Sequence, residues 1–271
     1  MKVLYHANCN DGAAAALAVW LKYGDKGVEY IPVQYGQEPP EGLDGEEVVI
    51  VDFSYKRDVL VEMAKVAEWL LVLDHHKTAE LELQGLSGEN IEAYFDMTKS
   101  GAVMAWEYFH ESPVPKLFLV IQDRDLWKFE FGQYTMHCQK GLQLHPEWRT
   151  WMTLQPNELA KEGMAVNSYM ELQTKKMIKD GPVKWDVTGD IVPVYNMPGF
   201  MLSDSLHAAL ERYPDAPFAV GYFDLAGGSK RVYSLRSREG GVDVSEIARK
   251  HGGGGHVHAA GFSMDLLPAW L

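Results

Sequence analysis

Strand-like apolar runs alternate with helical segments in the first half of this chain, and this order constrains the fold more than any other feature. Three runs are each followed by an aspartate, as residues 3–5 are by Asp11, 47–51 by Asp52 and 69–73 by Asp74. Residues 13–23 and 55–69 have the composition or the apolar spacing of helices. Such an order favours a parallel sheet with helices on both faces. The sequence therefore predicts an α/β fold in which successive strand ends meet at one edge.

The chain is predicted to contain two α/β domains and a connector. Residues 1–140 carry the alternating signals and form the parallel-sheet domain. Residues 141–185 have mostly helical signals and lack strand runs, so we interpret them as a helical connector. Strand signals return in residues 186–271, with a hairpin turn at 226–229, and predict a smaller α/β domain.

Composition and charge argue against several classes of protein. The 271 residues carry a net charge of −13, whereas proteins that grip long duplex DNA usually present a basic face. No apolar run approaches the roughly 20 residues of a membrane span. The N-terminus has no signal-peptide pattern, and the only cysteines are Cys9 and Cys138. We therefore expect a cytoplasmic protein without a disulfide framework.

The segment Asp74-His75-His76 places one carboxylate and two imidazoles at the end of a predicted strand. This edge is where open α/β folds bind their ligands. A single aspartate after a strand is more often a helix cap or a turn residue, but three at successive strand ends favour a common metal site. Carboxylate and imidazole ligands together suit Mn²⁺, Mg²⁺, Fe²⁺ or Zn²⁺, and a pair of such ions is a common hydrolytic device.

A fourth carboxylate comes from the segment after the apolar run 117–121. Either Asp123 or Asp125 could supply it, and the alternative is a surface ion pair with Arg124. The candidate metal ligands are His6, Asp11, Asp52, Asp74, His75, Asp123 and Asp125.

The loop after the first strand holds two further residues of interest. His6 precedes Asp11 in this loop, and the prediction that His6 is a ligand depends on Asp11 being one. Cys9 lies between them, and we interpret it as a small buried residue.

The second domain contains a string of four glycines, residues 252–255, followed by His256. Its backbone N–H groups could close around an anion, although a flexible loop is the ordinary interpretation. Arg236 and Arg238 share one face of a predicted strand and suit phosphate, with a solvated strand edge as the alternative. The candidate substrate-binding residues are Arg236, Ser237, Gly253, Gly254, Gly255 and His256.

These motifs resemble those of the DHH phosphoesterase superfamily. Asp74-His75-His76 matches the motif that names the superfamily, and residues 252–256 with 259–262 match the signature of the DHH-associated C-terminal domain. The chain is similar to the short, two-domain branch of oligoribonucleases (nanoRNases) and phosphoadenosine phosphatases. The resemblance covers almost the whole chain except the connector.

The resemblance implies a di-manganese centre in the first domain, with Mg²⁺ or another divalent ion as a substitute. By motif, Asp52 bridges the ions, His75 is a ligand and His76 addresses the substrate phosphate. The spacing to Trp127 favours Asp123 over Asp125 as the fourth-motif ligand. The implied catalytic residues are Asp11, Asp52, His75 and His76, with the substrate bound in a cleft between the domains.

The first motif departs from the family pattern. Family members have aspartates four and six residues after the histidine, but here His6 is followed by Asn10 and Gly12 at those positions. One metal site is therefore expected to lack a carboxylate, with Asn8 or Asn10 as a neutral substitute.

We accordingly predict a cytoplasmic, metal-dependent phosphodiesterase that removes nucleotides from short RNA or DNA oligomers. It is expected to bind neither long duplex nor membrane, and whether it forms a homodimer is left open. Phosphoadenosine phosphatase or pyrophosphatase-like activity is the alternative within the enzyme class. The alternative from another class is a non-catalytic nucleotide-binding module whose metal site has decayed.

Overall fold

A parallel sheet of five strands forms the centre of the first of two units in the computed structural model. The structure describes residues 1–86, 88–179, 183–186, 191–225 and 228–266, and the units comprise residues 1–167 and 168–271. The strands, with the spatial order β2-β1-β3-β4-β5, are β1 (Lys2–His6), β2 (Glu29–Val33), β3 (Glu47–Val51), β4 (Trp69–Asp74) and β5 (Ile91–Phe95).

Helices cover both faces of this sheet because its strands are apolar on both sides. On β3, Val49 and Val51 pack with α1 and α4, whereas Val48 and Ile50 pack with α2 on the other face. The helices are α1 (Asn10–Tyr23), α2 (Arg57–Val66), α3 (Lys77–Leu83), α4 (Gly101–Phe109), α5 (Lys116–Asp125) and α6 (Gln133–Leu142).

The prediction of an α/β fold with a parallel N-terminal sheet is confirmed. One local interpretation missed a helix: α3 begins directly after His76 and carried no sequence signal that we used. The apolar run 117–121 lies inside α5, so the carboxylates that follow it come from a helix end and not from a strand.

The predicted connector, 141–185, contains a 3-10 turn (Trp148–Thr153), most of α7 (Pro156–Met177) and, at its end, the short strand β6 (Val183–Asp186). Residues 180–182 of this range lie outside the described residues. The boundary between the two units falls inside α7, so this helix belongs to both.

The second unit is built on a mixed sheet of six strands with the order β10-β11-β9-β8-β7-β6. Only β7 and β8 pair in parallel among the described strands of this sheet. Besides β6, the strands are β7 (Ile191–Asn196), β8 (Phe218–Asp224), β9 (Lys230–Ser237), β10 (Gly254–His256) and β11 (Ala259–Asp265), and the helices are α8 (Leu202–Arg212) and α9 (Val244–Lys250).

The predicted hairpin joins β8 and β9, which pair antiparallel out to Asp224 and Arg231. Ala226 and Gly227 of its predicted turn lie outside the described residues. In the part of the chain that the structure describes, no helix has both the length and the apolarity of a membrane span.

Candidate metal centre

The imidazole of His75 lies among three carboxylates at the carboxyl edge of the first sheet. Its Nε2 atom is 3.0 Å from Asp52 Oδ1, 3.4 Å from Asp125 Oδ2 and 3.5 Å from Asp11 Oδ2. His75, Asp11 and Asp52 are almost fully buried, and Asp125 is partly exposed. Side chains far apart in the sequence thus meet around one ring nitrogen.

Asp52 reaches this position through an unusual backbone conformation. It follows β3 with a φ of 54°, in the left-handed region that non-glycine residues rarely occupy. Its N–H donates to Leu73 O at 2.9 Å, which fixes the turn against β4. A Cβ at Gly101 would lie 2.4 Å from Asp52 Cβ, so only glycine fits beside it. Strained residues of this kind cluster at functional sites.

Asp11 connects two helices as well as facing His75. It lies in the first turn of α1 and accepts hydrogen bonds from Gly101 N at 2.6 Å and Ala102 N at 3.1 Å, at the start of α4. A Cβ at Gly12 would lie 2.2 Å from His6 O, so glycine is required for the tight passage from β1 into α1. Asp11 therefore has an architectural role in addition to its place in the cluster.

Asp125, and not Asp123, is the fourth-motif carboxylate that lies beside His75. Both carboxylate oxygens of Asp123 accept hydrogen bonds, from Glu130 N at 2.7 Å, Phe131 N at 3.2 Å and the Thr135 hydroxyl. Asp125 Oδ2 is buried without a hydrogen-bond partner. In a helix, side chains two residues apart point about 200° apart, so only one of the pair can face the centre. Asp125 therefore replaces Asp123 as our candidate ligand.

Asp74 orients His76. Asp74 is fully buried, and its Oδ1 atom lies 2.6 Å from His76 Nδ1 and accepts from His75 N at 2.8 Å. Ligand-type atoms of Asp52, Asp74, His75 and His76 all lie within 4.8 Å of one another. Asp74 thus stays a candidate ligand through Oδ2, while Oδ1 holds the neighbouring imidazole.

A second group of ligand-type atoms lies on the other side of Asp52. His6 Nδ1 is 3.6 Å from Asp52 Oδ2, and the sulfur of Cys9 belongs to the same group, whose atoms lie within 4.8 Å of one another. Asn10 donates its amide to Gln139 Oε1 at 2.5 Å, and Asn8 is exposed. The two asparagines expected as neutral substitutes are therefore not part of this group.

The protonation of the centre follows from burial and from its carboxylates. Burial lowers the pKa of His75, but Asp125, Asp52 and Asp11 outweigh it and raise that pKa well above its ordinary value. Burial, with Asp52 and Asp125 nearby, raises the pKa of Asp11 well above its usual range, and burial raises that of Asp125. Burial also acts to raise the pKa of Asp52, yet the neighbouring imidazoles of His6 and His75 hold it well below normal. An imidazolium shared among carboxylates indicates a place that favours positive charge.

The donor set fits a divalent cation. Buried atoms of the centre that have no hydrogen-bond partner among the described residues include His6 Nδ1, Asp52 Oδ2, Asp74 Oδ2 and Asp125 Oδ2. A buried polar atom without a partner costs about 1–3 kcal/mol, and more when charged. Cation binding would satisfy these atoms, and their chemistry is that preferred by Mn²⁺, Mg²⁺, Fe²⁺ and Zn²⁺.

Sequence reasoning missed several residues that shape this centre. Gly101 follows the helix cap Ser100, and a glycine in the first turn of an apolar helix is a usable signal of close packing. Tyr35 comes two residues after β2, and its ring lies 5.4 Å from that of His6 and 5.9 Å from that of His76. It is 48% exposed, which makes it an aromatic surface at the edge of the centre.

In the second unit, the predicted phosphate-binding arginines already make contacts within the unit. Arg238 donates to three backbone carbonyls, those of Ala216 at 2.7 Å, Tyr213 at 3.0 Å and Leu210. Arg236 donates to Leu235 O at 2.8 Å and lies 3.4 Å from Ser203 Oγ. Arg238 therefore stabilises the unit, and the pairing of the two arginines on phosphate is not supported.

Ser237 is also held within the unit. It is almost fully buried, and its Oγ atom lies 2.9 Å from His258 Nδ1. Its N–H donates to His258 O at 3.1 Å.

The glycine string is explained in large part by close packing. The N–H groups of Gly252 and Gly253 donate to Arg249 O and Ala248 O at the end of α9. We predicted that the Gly253 N–H would bind an anion, but it is already used in this hydrogen bond. A Cβ at Gly253 would lie 2.0 Å from Gly261 O. Gly254, Gly255 and His256 form β10, which pairs with β11 and is not an open turn.

Two solved structures share the fold of this chain. RecJ from Thermus thermophilus, in complex with Mn²⁺, matches with a TM-score of 0.55 and 15% identity over 97% of this chain and 49% of RecJ. The pGpG-specific phosphodiesterase PggH from Vibrio cholerae matches with a TM-score of 0.50 and 14% identity over 98% of this chain and 93% of PggH. The chain therefore shares the fold of these two proteins.

A relative with closer sequence defines the family. The uncharacterized protein R106 of Acanthamoeba polyphaga mimivirus is 32% identical over an alignment of 292 positions, which covers 99% of this chain and 68% of R106. The chain belongs to the same family as R106. No protein-family model matches the chain.

Proposed function

We propose that this chain is a metal-dependent phosphoesterase that hydrolyses short oligonucleotides to mononucleotides. The observation that carries the proposal is the group of three carboxylates, Asp11, Asp52 and Asp125, around the buried His75 Nε2. The fold shared with RecJ bound to Mn²⁺ and with a pGpG-specific phosphodiesterase supports the same reaction class and a dinucleotide-sized substrate.

His6, Asp11, Asp52, His75 and Asp125 are the residues that would hold the ions. Asp52 directs Oδ1 toward His75 and Oδ2 toward His6, so it is placed to contact two cations. We propose Mn²⁺, with Mg²⁺ as a substitute, because both accept carboxylate oxygens. Bound divalent cations would lower the pKa of the attacking water and offset the charge that develops on the phosphate.

His76 is proposed to contact the substrate phosphate. Its hydrogen bond to Asp74 Oδ1 fixes the orientation of the ring. Burial lowers the pKa of His76, but Asp74 outweighs this effect and raises it above its ordinary value. An imidazolium in a fixed orientation donates a charge-assisted hydrogen bond to a phosphate oxygen.

Tyr35 is proposed to stack on a base next to the scissile phosphate. Its ring is half-exposed and packs on Phe53 with a centroid distance of 4.7 Å. Stacking on an aromatic ring contributes about 1–3 kcal/mol per base and tolerates any sequence.

For the second unit, Arg236 and His256 stay our proposed contacts to the rest of the substrate, supported by the motif of residues 252–256. The preference for short oligomers is supported by the net charge of −13, because affinity would come from a few local contacts and not from a long basic track. The unpaired state of Cys9 and Cys138 supports a cytoplasmic location.

A panel of substrates tests the proposal. Purified protein is incubated with a labelled dinucleotide, a longer single strand, adenosine bisphosphate and pyrophosphate, each with Mn²⁺ and with chelator. We expect the dinucleotide to be hydrolysed fastest, and only with metal. Cleavage of adenosine bisphosphate or pyrophosphate alone would replace the proposal with a phosphohydrolase. Metal binding without hydrolysis of any substrate would indicate a non-catalytic nucleotide-binding module.

A further inference from the structure

The loop between β1 and α1 brings a thiol to the edge of the proposed metal centre. The sulfur of Cys9, a ring nitrogen of His6 and a carboxylate oxygen of Asp52 all lie within 4.8 Å of one another. This is the reach of three ligands around one cation, since metal–ligand bonds of about 2.0–2.3 Å place ligand atoms about 3–4 Å apart.

Two atoms in this group lack hydrogen-bond partners among the described residues. Asp52 is 1% exposed, and its Oδ2 atom, on the His6 side, is buried without a partner, as is His6 Nδ1. The opposite oxygen, Oδ1, lies 3.0 Å from His75 Nε2. The unpartnered oxygen of Asp52 thus lies on the side of His6 and Cys9. If Cys9 only filled space, this buried oxygen would still have no partner.

The backbone holds Cys9 in place. It is the N-cap of α1, with extended φ and ψ of −123° and 134°, and its carbonyl accepts from Ala13 N at 3.1 Å. The tight contact of Gly12 with His6 O fixes the same loop from the other side. The sulfur is therefore held at the start of α1, in the same loop as His6.

We infer that Cys9 is a metal ligand and that, with His6 and Asp52, it forms a cation position of mixed sulfur, nitrogen and oxygen donors. The inference rests on the metal centre of the proposed function and extends it. Cys9 thus supplies the third ligand atom of this group, which neither Asn8 nor Asn10 joins.

A thiolate among the ligands changes which metals the centre selects. Thiolate is a soft ligand that favours Zn²⁺, Fe²⁺ and Co²⁺, whereas carboxylate and water favour Mn²⁺ and Mg²⁺. The two halves of the centre therefore differ: the position bounded by Asp11, His75 and Asp125 accepts Mn²⁺ well, and the position bounded by Cys9 prefers a softer ion. Asp52 is shared between them.

Cobalt binding tests this inference without any substrate. Metal-free wild type, Cys9→Ser and Cys138→Ser are titrated with Co²⁺, and the absorption spectrum is followed together with the bound stoichiometry. Cys138 is the matched control, because it is fully buried and its sulfur lies 3.4 Å from Pro156 O. We expect a sulfur-to-cobalt charge-transfer band in wild type and Cys138→Ser. Cys9→Ser should lack the band and still bind cobalt beside His75.

Alkylation gives a second measurement. In Cys138→Ser, Cys9 is the single thiol, and Zn²⁺ should slow its reaction with iodoacetamide about tenfold or more, because a metal-bound thiolate is a poor nucleophile. Cobalt binding without the band, together with unchanged alkylation, would overturn the inference and leave the proposed phosphoesterase standing. Failure of wild type to bind any cobalt would overturn both. If wild type gives the cobalt band but does not hydrolyse a dinucleotide, only the proposed function is overturned.

Discussion

The edge of the first sheet and the glycine string of the second unit were both predicted to contact substrate or metal, but they differ in how their polar atoms are satisfied. At the sheet edge, several buried atoms, among them Asp52 Oδ2 and Asp125 Oδ2, have no hydrogen-bond partner among the described residues. In the second unit, Arg238 donates to three carbonyls, and Gly252 and Gly253 donate to the end of α9. Buried polar groups are normally paired, so the unpaired ones indicate a place where a ligand binds.

This difference predicts opposite outcomes of substitution in the two regions. Removing a carboxylate from the sheet edge removes function and relieves repulsion among buried charges. Removing Arg238 or the glycines breaks contacts that the fold itself uses. A sheet-edge variant that loses mainly stability, or a second-unit variant that loses mainly activity, would contradict this difference.

The largest effect is expected for Asp125→Asn. Loss of this carboxylate should lower hydrolysis of a dinucleotide about a hundredfold or more, since even residues behind the ligands commonly contribute 10–100-fold. Because burial raises the pKa of Asp125, the metal-free variant should unfold at the same or a higher temperature than wild type.

Asp123→Asn is the matched control on the same helix. Its carboxylate accepts from Glu130 N, Phe131 N and Thr135, so the variant should lose about 1–3 kcal/mol of unfolding free energy and keep its metal. Thermal melts and rate assays of both variants make the comparison. The reverse pair of results would indicate that Asp123, and not Asp125, is the metal ligand.

Asp74→Asn is expected to lower turnover about 10–100-fold while the bound metal stays near the wild-type stoichiometry, because the five residues proposed to hold the ions are unchanged. The hydrogen bond between Asp74 Oδ1 and His76 Nδ1 orients the imidazole, and the carboxylate charge raises the pKa of His76. Metal content and kcat are measured on the same preparation. A variant that loses its metal would show that Asp74 acts mainly as a ligand.

Arg238→Lys in the second unit should reduce stability by about 1–3 kcal/mol, because lysine cannot reproduce the three donations to Ala216, Tyr213 and Leu210. At a temperature where the variant is folded, its turnover of a dinucleotide should stay within a few-fold of wild type. Urea unfolding and initial rates test this. A large loss of rate without a loss of stability would instead support a contact to substrate.

The smallest effect concerns pH. The pKa of His75 is raised well above 6.5 in the fold, so its contribution to the stability of the metal-free protein is fully present below pH 6.5 and is lost as the pH rises through the folded-state value. The melting temperature of chelated wild type should therefore fall over that window. His75→Gln should flatten this part of the profile, whereas an unchanged slope would show that other groups control it.

Much of the fold was predictable because its central strands are continuous apolar runs. The runs 47–51 and 69–73 correspond to β3 and β4. The carboxyl ends of parallel strands meet at one edge of a sheet, so the sequence alone also placed Asp11, Asp52 and His75 together.

The rest depended on tertiary geometry that spacing does not encode. The choice between Asp123 and Asp125 follows from the direction of each side chain on α5 and from the loop that satisfies Asp123. Cys9 was set aside because a lone cysteine carries no pattern, and only its distance to His6 and Asp52 gives it meaning. The glycine string looked like an anion site because pairing of β10 with β11 cannot be read from glycines alone.

The central claim is that unpartnered buried atoms at the sheet edge hold divalent cations, and equilibrium dialysis against Mn²⁺ tests it most directly. Asp52 is shared by both groups of ligand-type atoms, so wild type and Asp52→Asn form the informative pair. We predict that wild type retains Mn²⁺ and that Asp52→Asn loses most of it while remaining folded by circular dichroism. Equal retention by the two proteins, or no retention by wild type, would contradict the account.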